Sequence, residues 1–341
     1  MQSVKPSAEL ITADNPYKKV ELAGRICYKS EANITDDSCV KFVSKMLGNN
    51  HLAMLEHGVI HLKVVSDIAD ILDDLTIDPL TYKFLTYTRP DECPSGYLTG
   101  SLRGLKEFFD ELKHNNMFDH QTSLDYLLNF LRKTYPEVFN DGVNTSITDN
   151  KFVVELSDAK FIEDIHSVVN NMPFTLDEKE EIFESIVTEH IHHTIKFVCD
   201  RGVSHELVRH RLCSFAQEST RYCNYSKDKF GSEITCIDPF FFDEPGKESL
   251  KLSWVNAMQS AEKEYLYMIK NGATPQEART VLPNSLKTEI VVTASEREWQ
   301  HIVDLRYIGV TGAPHPQMKE VMAYAVPILE EISDGRISGE V

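Results

Sequence analysis

The sequence predicts a protein built from both helices and strands, because amphipathic helical stripes alternate with short apolar runs. One stripe stops at Gly48 and predicts a helix over residues 37–47. Its apolar members recur at helical spacing: Cys39, Phe42, Val43, Met46 and Leu47. Three short apolar runs are typical of strands: 59–65, 194–199 and 285–292.

Residues 67–193 contain several helical patterns joined by polar loops. One apolar stripe covers 102–112 and a second covers 126–131. Thr175 and Glu178 are spaced as a capping box ahead of a third stripe. We find no catalytic motif in this segment, which we interpret as a mainly helical module.

The C-terminal part of the chain combines strands with helices that carry clear start signals. A long helix is predicted over about 247–270, where it meets an Asn-Gly pair. Thr274 with Glu277, and Ser295 with Glu298, are both spaced as capping boxes. Each pair is therefore predicted to open a helix.

Composition and charge narrow the classes of function. The chain has 341 residues, of which 42% are hydrophobic and 26% are charged, which is typical of a globular protein. With 35 Lys and Arg against 53 Asp and Glu, the net charge is −18, so we expect no general binding to nucleic acid or to an anionic membrane surface. Seven scattered cysteines without a Cys-x-x-Cys pair favour reduced thiols and a cytoplasmic protein.

Arginines are concentrated at one point of this acidic chain. Residues 209–221 hold three guanidinium groups and an imidazole, interleaved with hydroxyl and amide side chains. Because the planar fork of arginine suits phosphate and carboxylate, this segment is a candidate anion site. The alternative is a helix end with solvated arginines, which an isolated Arg-His-Arg sequence would favour.

Arg306 lies on a predicted helix in register with apolar residues, Trp299 and Ile302 among them. A cation on an apolar stripe needs a partner, because burying it alone is costly. That partner is either a carboxylate such as Asp304 or Glu320, or an anionic ligand, and the residues leave both open.

Metal and nucleotide motifs are weak in this sequence. His205 and His210 are five residues apart, whereas a zinc-protease helix needs histidines four apart. His190 and His192 could ligate a metal from one strand face, but no third ligand is identifiable and a polar strand end is favoured. We therefore predict no metal site, and a metal-dependent hydrolase is a disfavoured alternative. A P-loop and a Rossmann glycine fingerprint are both missing.

Five separated blocks, in order, resemble the flavin-dependent thymidylate synthase family. The most specific is Arg209-His210-Arg211 followed by Ser214, Gln217, Glu218, Ser219, Arg221 and Tyr222. The segment that leads into it, 200–208, is also similar to the family. The other blocks are Ala23-Gly24-Arg25-Ile26-Cys27-Tyr28, the box from His51 to Glu56-His57, Ala278-Arg279 with Leu282-Pro283, and Ser295 to Arg297 with His301 and Arg306.

The resemblance implies an α+β fold with an antiparallel or mixed sheet and long helices. It implies a homotetramer whose active sites lie between subunits. The catalytic core would comprise residues 1–66 plus 194–341, and 67–193 would be a helical insertion of unknown role. The implied reaction is the reductive methylation of dUMP to dTMP. Methylenetetrahydrofolate would supply the carbon, and NADPH would supply the reducing equivalents through FAD.

The resemblance also implies roles for individual residues. Arg306 would be catalytic, by favouring the N3-deprotonated uracil ring. The residues implied to bind the flavin are Arg209, His210, Arg211, Gln217, Ser295, Glu296, Arg297, His301 and Ala53. The residues implied to bind dUMP are Glu206, Leu207, Val208, Arg209, Gln217, Glu218, Ser219, Thr220, Arg221, Arg279 and Arg306. The alternative hypothesis is a nucleotide- or flavin-binding regulatory protein that has lost turnover.

Four positions depart from the commonest family pattern: Ala53, Ala216, Gln217 and Ser295. Each departure weakens a single flavin contact and leaves the arginine framework in place. An acidic chain would need such a local cationic pocket to hold several polyanionic ligands.

Overall fold

The strands of this chain form three separate sheets. The computed structural model describes residues 1–75, 77, 82, 84–91, 93–114, 122–142, 152–227 and 230–340. The strands are β1 (Gln2–Val4), β2 (Ser7–Leu10), β3 (Val59–Val65), β4 (Leu85–Thr88), β5 (Ser95–Ser101), β6 (Val153–Leu156), β7 (His192–Asp200), β8 (Ser214–Gln217), β9 (Thr235–Ile237) and β10 (Lys287–Ser295).

Helices surround these sheets and supply most of the buried apolar side chains. They are α1 (Pro16–Tyr28), α2 (Ser38–Gly48), α3 (Ser66–Asp74), α4 (Leu102–His114), α5 (Thr122–Thr134), α6 (Pro136–Phe139), α7 (Asp158–Asn170), α8 (Leu176–His190), α9 (Arg201–Leu207), α10 (Glu248–Lys270), α11 (Pro275–Ala278), α12 (Glu296–Val303) and α13 (Pro316–Ile332). None of the helices in the described part of the chain combines the length and apolar composition needed to cross a bilayer.

The central sheet has the strand order β2-β7-β10-β8, with all neighbours antiparallel. The runs 194–199 and 285–292 predicted its two inner strands, and both are confirmed. Phe197 and Ile290 face each other across these strands and are completely buried, so this sheet is covered by apolar side chains. β8 is the edge strand, and its register places Ser214 opposite Thr293 and Gln217 opposite Ile290.

A second antiparallel sheet has the order β4-β5-β3-β6. The predicted strand 59–65 is β3 and is confirmed, but β4, β5 and β6 lie within residues 67–193, for which a mainly helical module and no strand were predicted. β3 therefore pairs with strands of this segment, and α1, α2, α4 and α5 contribute to one apolar core. The division between a core and an insertion at residue 66 stays a prediction, and part of 67–193 lies outside the described residues. The α+β class with antiparallel sheets is confirmed.

The helix start signals were largely correct. Capping boxes form at Thr175 and at Thr274, as predicted. At the start of α12 only half of the predicted box is present: the Glu298 amide donates to Ser295 Oγ at 3.3 Å, while the Glu298 carboxylate is turned elsewhere. The third sheet is a two-stranded parallel pair, β1 with β9, which joins the N-terminus to the C-terminal part.

Candidate active site

The edge strand β8 has candidate site residues at both of its ends. Before it, α9 and the turn at 208–213 carry Glu206 and His210. After it, residues 218–222 leave the sheet and run beside α11. The α9 helix is fixed at its start because Asp200 Oδ1 accepts a hydrogen bond from the Val203 amide at 2.7 Å.

The first end is organised around Arg306. Its Nε donates to His210 Nε2 at 3.2 Å, and its Nη1 donates to Glu206 Oε2 at 3.1 Å. His301 packs edge-on against the His210 ring, with centroids 5.6 Å apart. We call Arg306, Glu206, His210, Glu298 and His301 the Arg306 group. The ion pair with Glu206 was not among the carboxylate partners predicted from the sequence, which were Asp304 and Glu320.

A wide π-type turn, Asp304–Ile308, presents Arg306 at the end of α12. Turns of this type often occur at functional positions within helices. Gly309 closes the turn with a φ of 84°, and its amide donates to the Asp304 carbonyl at 2.8 Å. A β-carbon at Gly309 would lie 2.9 Å from the Gly312 carbonyl oxygen, so this position requires glycine.

The second end is organised around Arg279, which lies just after α11. Its Nη1 donates to Thr220 Oγ1 at 3.5 Å, and Thr220 directly precedes Arg221 in the chain. Ser219 Oγ accepts a hydrogen bond from the Arg221 amide at 3.3 Å. We call Ser219, Thr220, Arg221 and Arg279 the Arg279 group. Among the described residues, no hydrogen bond or ion pair joins this group to the Arg306 group.

Four site arginines have no carboxylate partner anywhere in the described part of the chain: Arg209, Arg211, Arg221 and Arg279. All four side chains are exposed. In a chain with 53 acidic and 35 basic residues, guanidinium groups without a carboxylate partner are unexpected. They leave both ends of β8 with hydrogen-bond donors that are free to bind an anion.

Glu218 directly follows β8, next to Ser219, and is buried in an ion network. Lys287 Nζ lies 3.4 Å from its carboxylate and Lys29 Nζ lies 3.8 Å away. The same two lysines also contact Glu289, each at 2.5 Å. Burial acts to raise the pKa of Glu289, but the two lysines outweigh it and lower that pKa to about 2. The predicted dUMP residue Glu218 therefore has its charge balanced within the chain.

Comparison with known proteins finds similarity to one family. Residues 180–334 match the family described as thymidylate synthase complementing protein. Three curated flavin-dependent thymidylate synthases are similar to this chain. That of Geobacter sulfurreducens is 32% identical over 136 residues, which is 38% of this chain and 54% of that protein. That of Pyrococcus abyssi is 36% identical over 110 residues, which is 32% of this chain and 43% of that protein. That of Thermococcus kodakarensis is 33% identical over 145 residues, which is 42% of this chain and 55% of that protein.

The matched parts of the chain are similar to flavin-dependent thymidylate synthases. The matched segments span about half the length of these curated relatives. Solved structures of a UMP/dUMP methylase from Streptomyces cacaoi, bound with 5-Br dUMP or 5-Br UMP, are 18% and 19% identical to this chain. They cover 53% of it and 90% and 92% of the methylase chain, with TM-scores of 0.40 and 0.41.

The remaining residues that the family resemblance assigns to dUMP fall into two kinds. Leu207 is buried in the apolar core, so a ligand can reach only its backbone, whereas the Val208 side chain is exposed. Gln217 turns inward, and its Nε2 donates to Ser204 Oγ at 2.7 Å and to Thr288 Oγ1 at 3.2 Å. Its amide therefore ties β8 to α9 in this chain.

The residues that the resemblance assigns to the flavin are spread over the turn at 208–213, β8, the end of β10, α12 and a short helix, Leu52–His57. Ser295 caps α12, and Arg297 pairs with Glu189 at the surface. Glu296 is completely buried and pairs with Arg336 and His193. Ala53 is exposed. The flavin contacts of all these residues stay predictions.

A further pocket of about 570 Å³ lies beside the Arg279 group. Tyr28 and Tyr222 pack edge-to-face in its wall with ring centroids 5.7 Å apart, and Tyr28 Oη lies 2.9 Å from His51 Nδ1. Lys41 and Lys45 of α2 also line it, and the sequence analysis missed both. In the sequence, the one feature that could have indicated these two lysines is their position on the polar face of a predicted helix.

The histidine-rich segment is not a strand face with two aligned ligands. His190 ends α8 and is completely buried, with its ring bonded to Thr99 and Thr88, while His192 starts β7. A different set, His210, Glu298 and His301, has ligand atoms within 4.8 Å of one another. The Arg306 guanidinium donates to His210 in this set, and a neighbouring cation disfavours a metal ion there.

Proposed function

We propose that this protein is a flavin-dependent thymidylate synthase, which methylates dUMP reductively to dTMP. Methylenetetrahydrofolate donates the carbon, and NADPH is the reductant that acts through FAD. The observation that carries the proposal is the set of four arginines without a carboxylate partner among the described residues, at the two ends of β8, in a chain of net charge −18. Such groups suit the phosphates of a nucleotide substrate and a dinucleotide cofactor.

The Arg279 group is proposed to bind the dUMP phosphate. Arg221 and Arg279 offer planar forks for phosphate oxygens, and Ser219 and Thr220 offer hydroxyl donors beside them. Ser219 is proposed as a ligand contact, because no base close to it in the sequence would make it a nucleophile.

Arg306 is proposed to act on the uracil ring. A guanidinium beside N3 stabilises the deprotonated ring, and the extra negative charge makes C5 a better nucleophile. The cation is partly exposed, with 21% of its side chain accessible, so a substrate can reach it. This route needs no cysteine nucleophile. Burial raises the pKa of Cys27 to about 11, which keeps that thiol protonated near neutral pH.

The flavin is proposed to bind along Arg209, Arg211 and His301. These exposed donors fit a cofactor that carries a pyrophosphate, because each guanidinium is free of carboxylate partners within the described chain. When bound, FAD supplies the hydride of the reaction. Exposed apolar side chains adjoin this region, with Val208, Leu212 and Val310 each more than a third accessible. They support a subunit boundary at the site. The homotetramer that the family resemblance implies is part of the proposal.

We also propose a cytoplasmic location. All seven cysteines are free thiols, which suits a reducing compartment. The proposed function is tested with purified protein, which should be yellow with a flavin spectrum. It should release tritium from C5-labelled dUMP only when NADPH and methylenetetrahydrofolate are both supplied. A protein that binds flavin and dUMP without tritium release would be the regulatory alternative and would refute the enzyme.

A further inference from the structure

Glu298 has a carboxylate whose position the helix start does not explain. It occupies the third position of α12, where the sequence predicts that it caps the helix. In α8 and α11 the matching glutamates do cap: Glu178 and Glu277 each accept from the N-cap amide, at 2.8 and 2.7 Å. Glu298 gives up that local bond and is buried instead. A side chain that departs from its local preference at this point indicates a role in the site.

The carboxylate of Glu298 faces two side chains of the turn before β8. Its Oε1 lies 3.4 Å from His210 Nδ1, and the Cys213 thiol donates to the same oxygen at 3.9 Å. His210 is itself buried, with 5% of its surface accessible. The imidazole therefore lies between a carboxylate on one side and the Arg306 guanidinium on the other.

The contact with Arg306 fixes which nitrogen of His210 carries the proton. Arginine Nε can only donate, so His210 Nε2 must accept, and the proton of the neutral ring is on Nδ1. Nδ1 is the nitrogen that faces Glu298. In the other tautomer a lone pair would face the carboxylate, and a second N–H would face the guanidinium.

We propose that Glu298 is a positioning residue that holds Arg306 in place through His210. It selects the tautomer whose Nε2 accepts from Arg306, as an outer carboxylate orients a histidine that acts on another group. Glu206 then holds the other edge of the guanidinium at 3.1 Å. The inference rests on the proposed function, because the group being positioned is the one assigned to the uracil ring.

Three variants test this proposal by tritium release from C5-labelled dUMP. Glu298→Ala should lower kcat about 10- to 100-fold, because a small displacement of a positioned group causes a rate loss of this size. Glu298→Gln should stay within about threefold of wild type, because its amide oxygen still accepts from Nδ1. The matched control is Glu178→Ala, which removes a helix-capping glutamate from α8 and should leave kcat unchanged.

A double variant separates positioning from a general loss of structure. When His210→Gln is already present, adding Glu298→Ala should lower kcat by less than about threefold further. The reason is that the residue through which Glu298 acts is already gone. The proposal would be overturned if the kcat losses of His210→Gln and Glu298→Ala multiplied in the double variant. Equal kcat losses in Glu298→Ala and Glu298→Gln would overturn it too. So would an unchanged kcat in Glu298→Ala.

A readout without turnover keeps this test distinct from that of the proposed function. In protein labelled with 15N-arginine, the Nε–H signal of Arg306 is assigned by its loss in Arg306→Lys. The signal should move in Glu298→Ala and keep its position in Glu298→Gln and Glu178→Ala. If the wild-type protein releases no tritium, only the proposed function is refuted. If the Arg306 signal does not move in Glu298→Ala, only the positioning role is refuted.

Discussion

Glu296 holds Arg336 through two hydrogen bonds, with Arg336 Nε at 2.7 Å and Nη2 at 3.0 Å from its carboxylate oxygens. His193 Nε2 lies 2.8 Å from the same carboxylate, whose side chain is completely buried. The pair joins the start of α12 to the segment after α13 and to β7. It therefore fixes the base of the helix whose far end carries Arg306.

Glu296→Ala should destabilise the protein by about 3–5 kcal/mol, because it leaves a buried arginine without its countercharge. The measurement is the free energy of unfolding in urea. The control is Glu189→Ala, which breaks a pair with the exposed Arg297 and should cost no more than about 1 kcal/mol. Similar costs for the two variants would show that the Glu296 pair does not support the fold.

His57 should make the protein less stable in mild acid. Burial, with a smaller effect of Lys19, lowers its pKa from 6.5 to about 3. Between these values the unfolded chain binds the extra proton, so the free energy of unfolding falls as the pH falls from 6.5 towards 3. His57→Asn, which can keep the contact with Thr293 Oγ1, should reduce this slope by up to about 1.4 kcal/mol per pH unit.

The check is a series of urea titrations between pH 6.5 and pH 4. The exposed His114→Gln variant is the control and should keep the wild-type slope. His190 and His192 should supply part of the slope that remains, since burial also lowers their pKa values. An unchanged slope in His57→Asn would contradict the neutral, buried state of this residue.

The sequence predicted strands and helices where apolar periodicity was continuous, and two of the elements that it missed are interrupted by glycine or proline. β5 contains Gly96 and Gly100, which leave room for Tyr87 and Leu85 of β4 to pack flat against its backbone. Glycine is rare in strands, so this run did not predict one. The helix α13 was missed in the same way, because it continues through Pro327.

Gly309→Ala should impair both stability and turnover. Gly309 and Gly272 both have positive φ, so alanine costs about 1–2 kcal/mol at either position. Only at Gly309 would the new β-carbon also collide with backbone, 2.9 Å from the Gly312 oxygen. We therefore expect a larger loss of unfolding free energy in Gly309→Ala, and reduced tritium release because the turn that carries Arg306 must shift. Gly272→Ala should keep wild-type turnover, and matching losses of turnover would refute this argument.

The candidate site was predicted from the sequence only as far as local motifs reach. The Arg209–Tyr222 segment and Arg306 were found because arginines are unusual in an acidic chain and match a family pattern. Glu298 was missed because its spacing from Ser295 already predicted a role in capping the helix. Its contact with His210 joins positions 88 residues apart, and no single-sequence pattern reports such a distance.

Arg279→Lys should weaken the binding of dUMP by about tenfold. Lysine keeps the charge, but it cannot reproduce the two parallel donors of the guanidinium on a phosphate. Affinity is measured by titrating the flavin-loaded protein with dUMP. Arg89→Lys is the control, because Arg89 pairs with Asp70 and Asp73 outside the proposed site and should leave the affinity unchanged. Equal affinity in Arg279→Lys would contradict a phosphate contact at this position.

Arg306→Ala should reduce turnover strongly while leaving the flavin bound. The guanidinium is the only group that we assign to the uracil ring, and removing a charge that stabilises a developing anion costs about 100- to 1,000-fold in rate. The arginine used as a control is Arg89, whose side chain is 23% accessible and pairs with carboxylates, against 21% for Arg306. Arg89→Ala should keep wild-type tritium release, and both variants should keep the flavin absorbance. Wild-type turnover in Arg306→Ala would remove its assigned role, because the uracil ring would then be activated by another group.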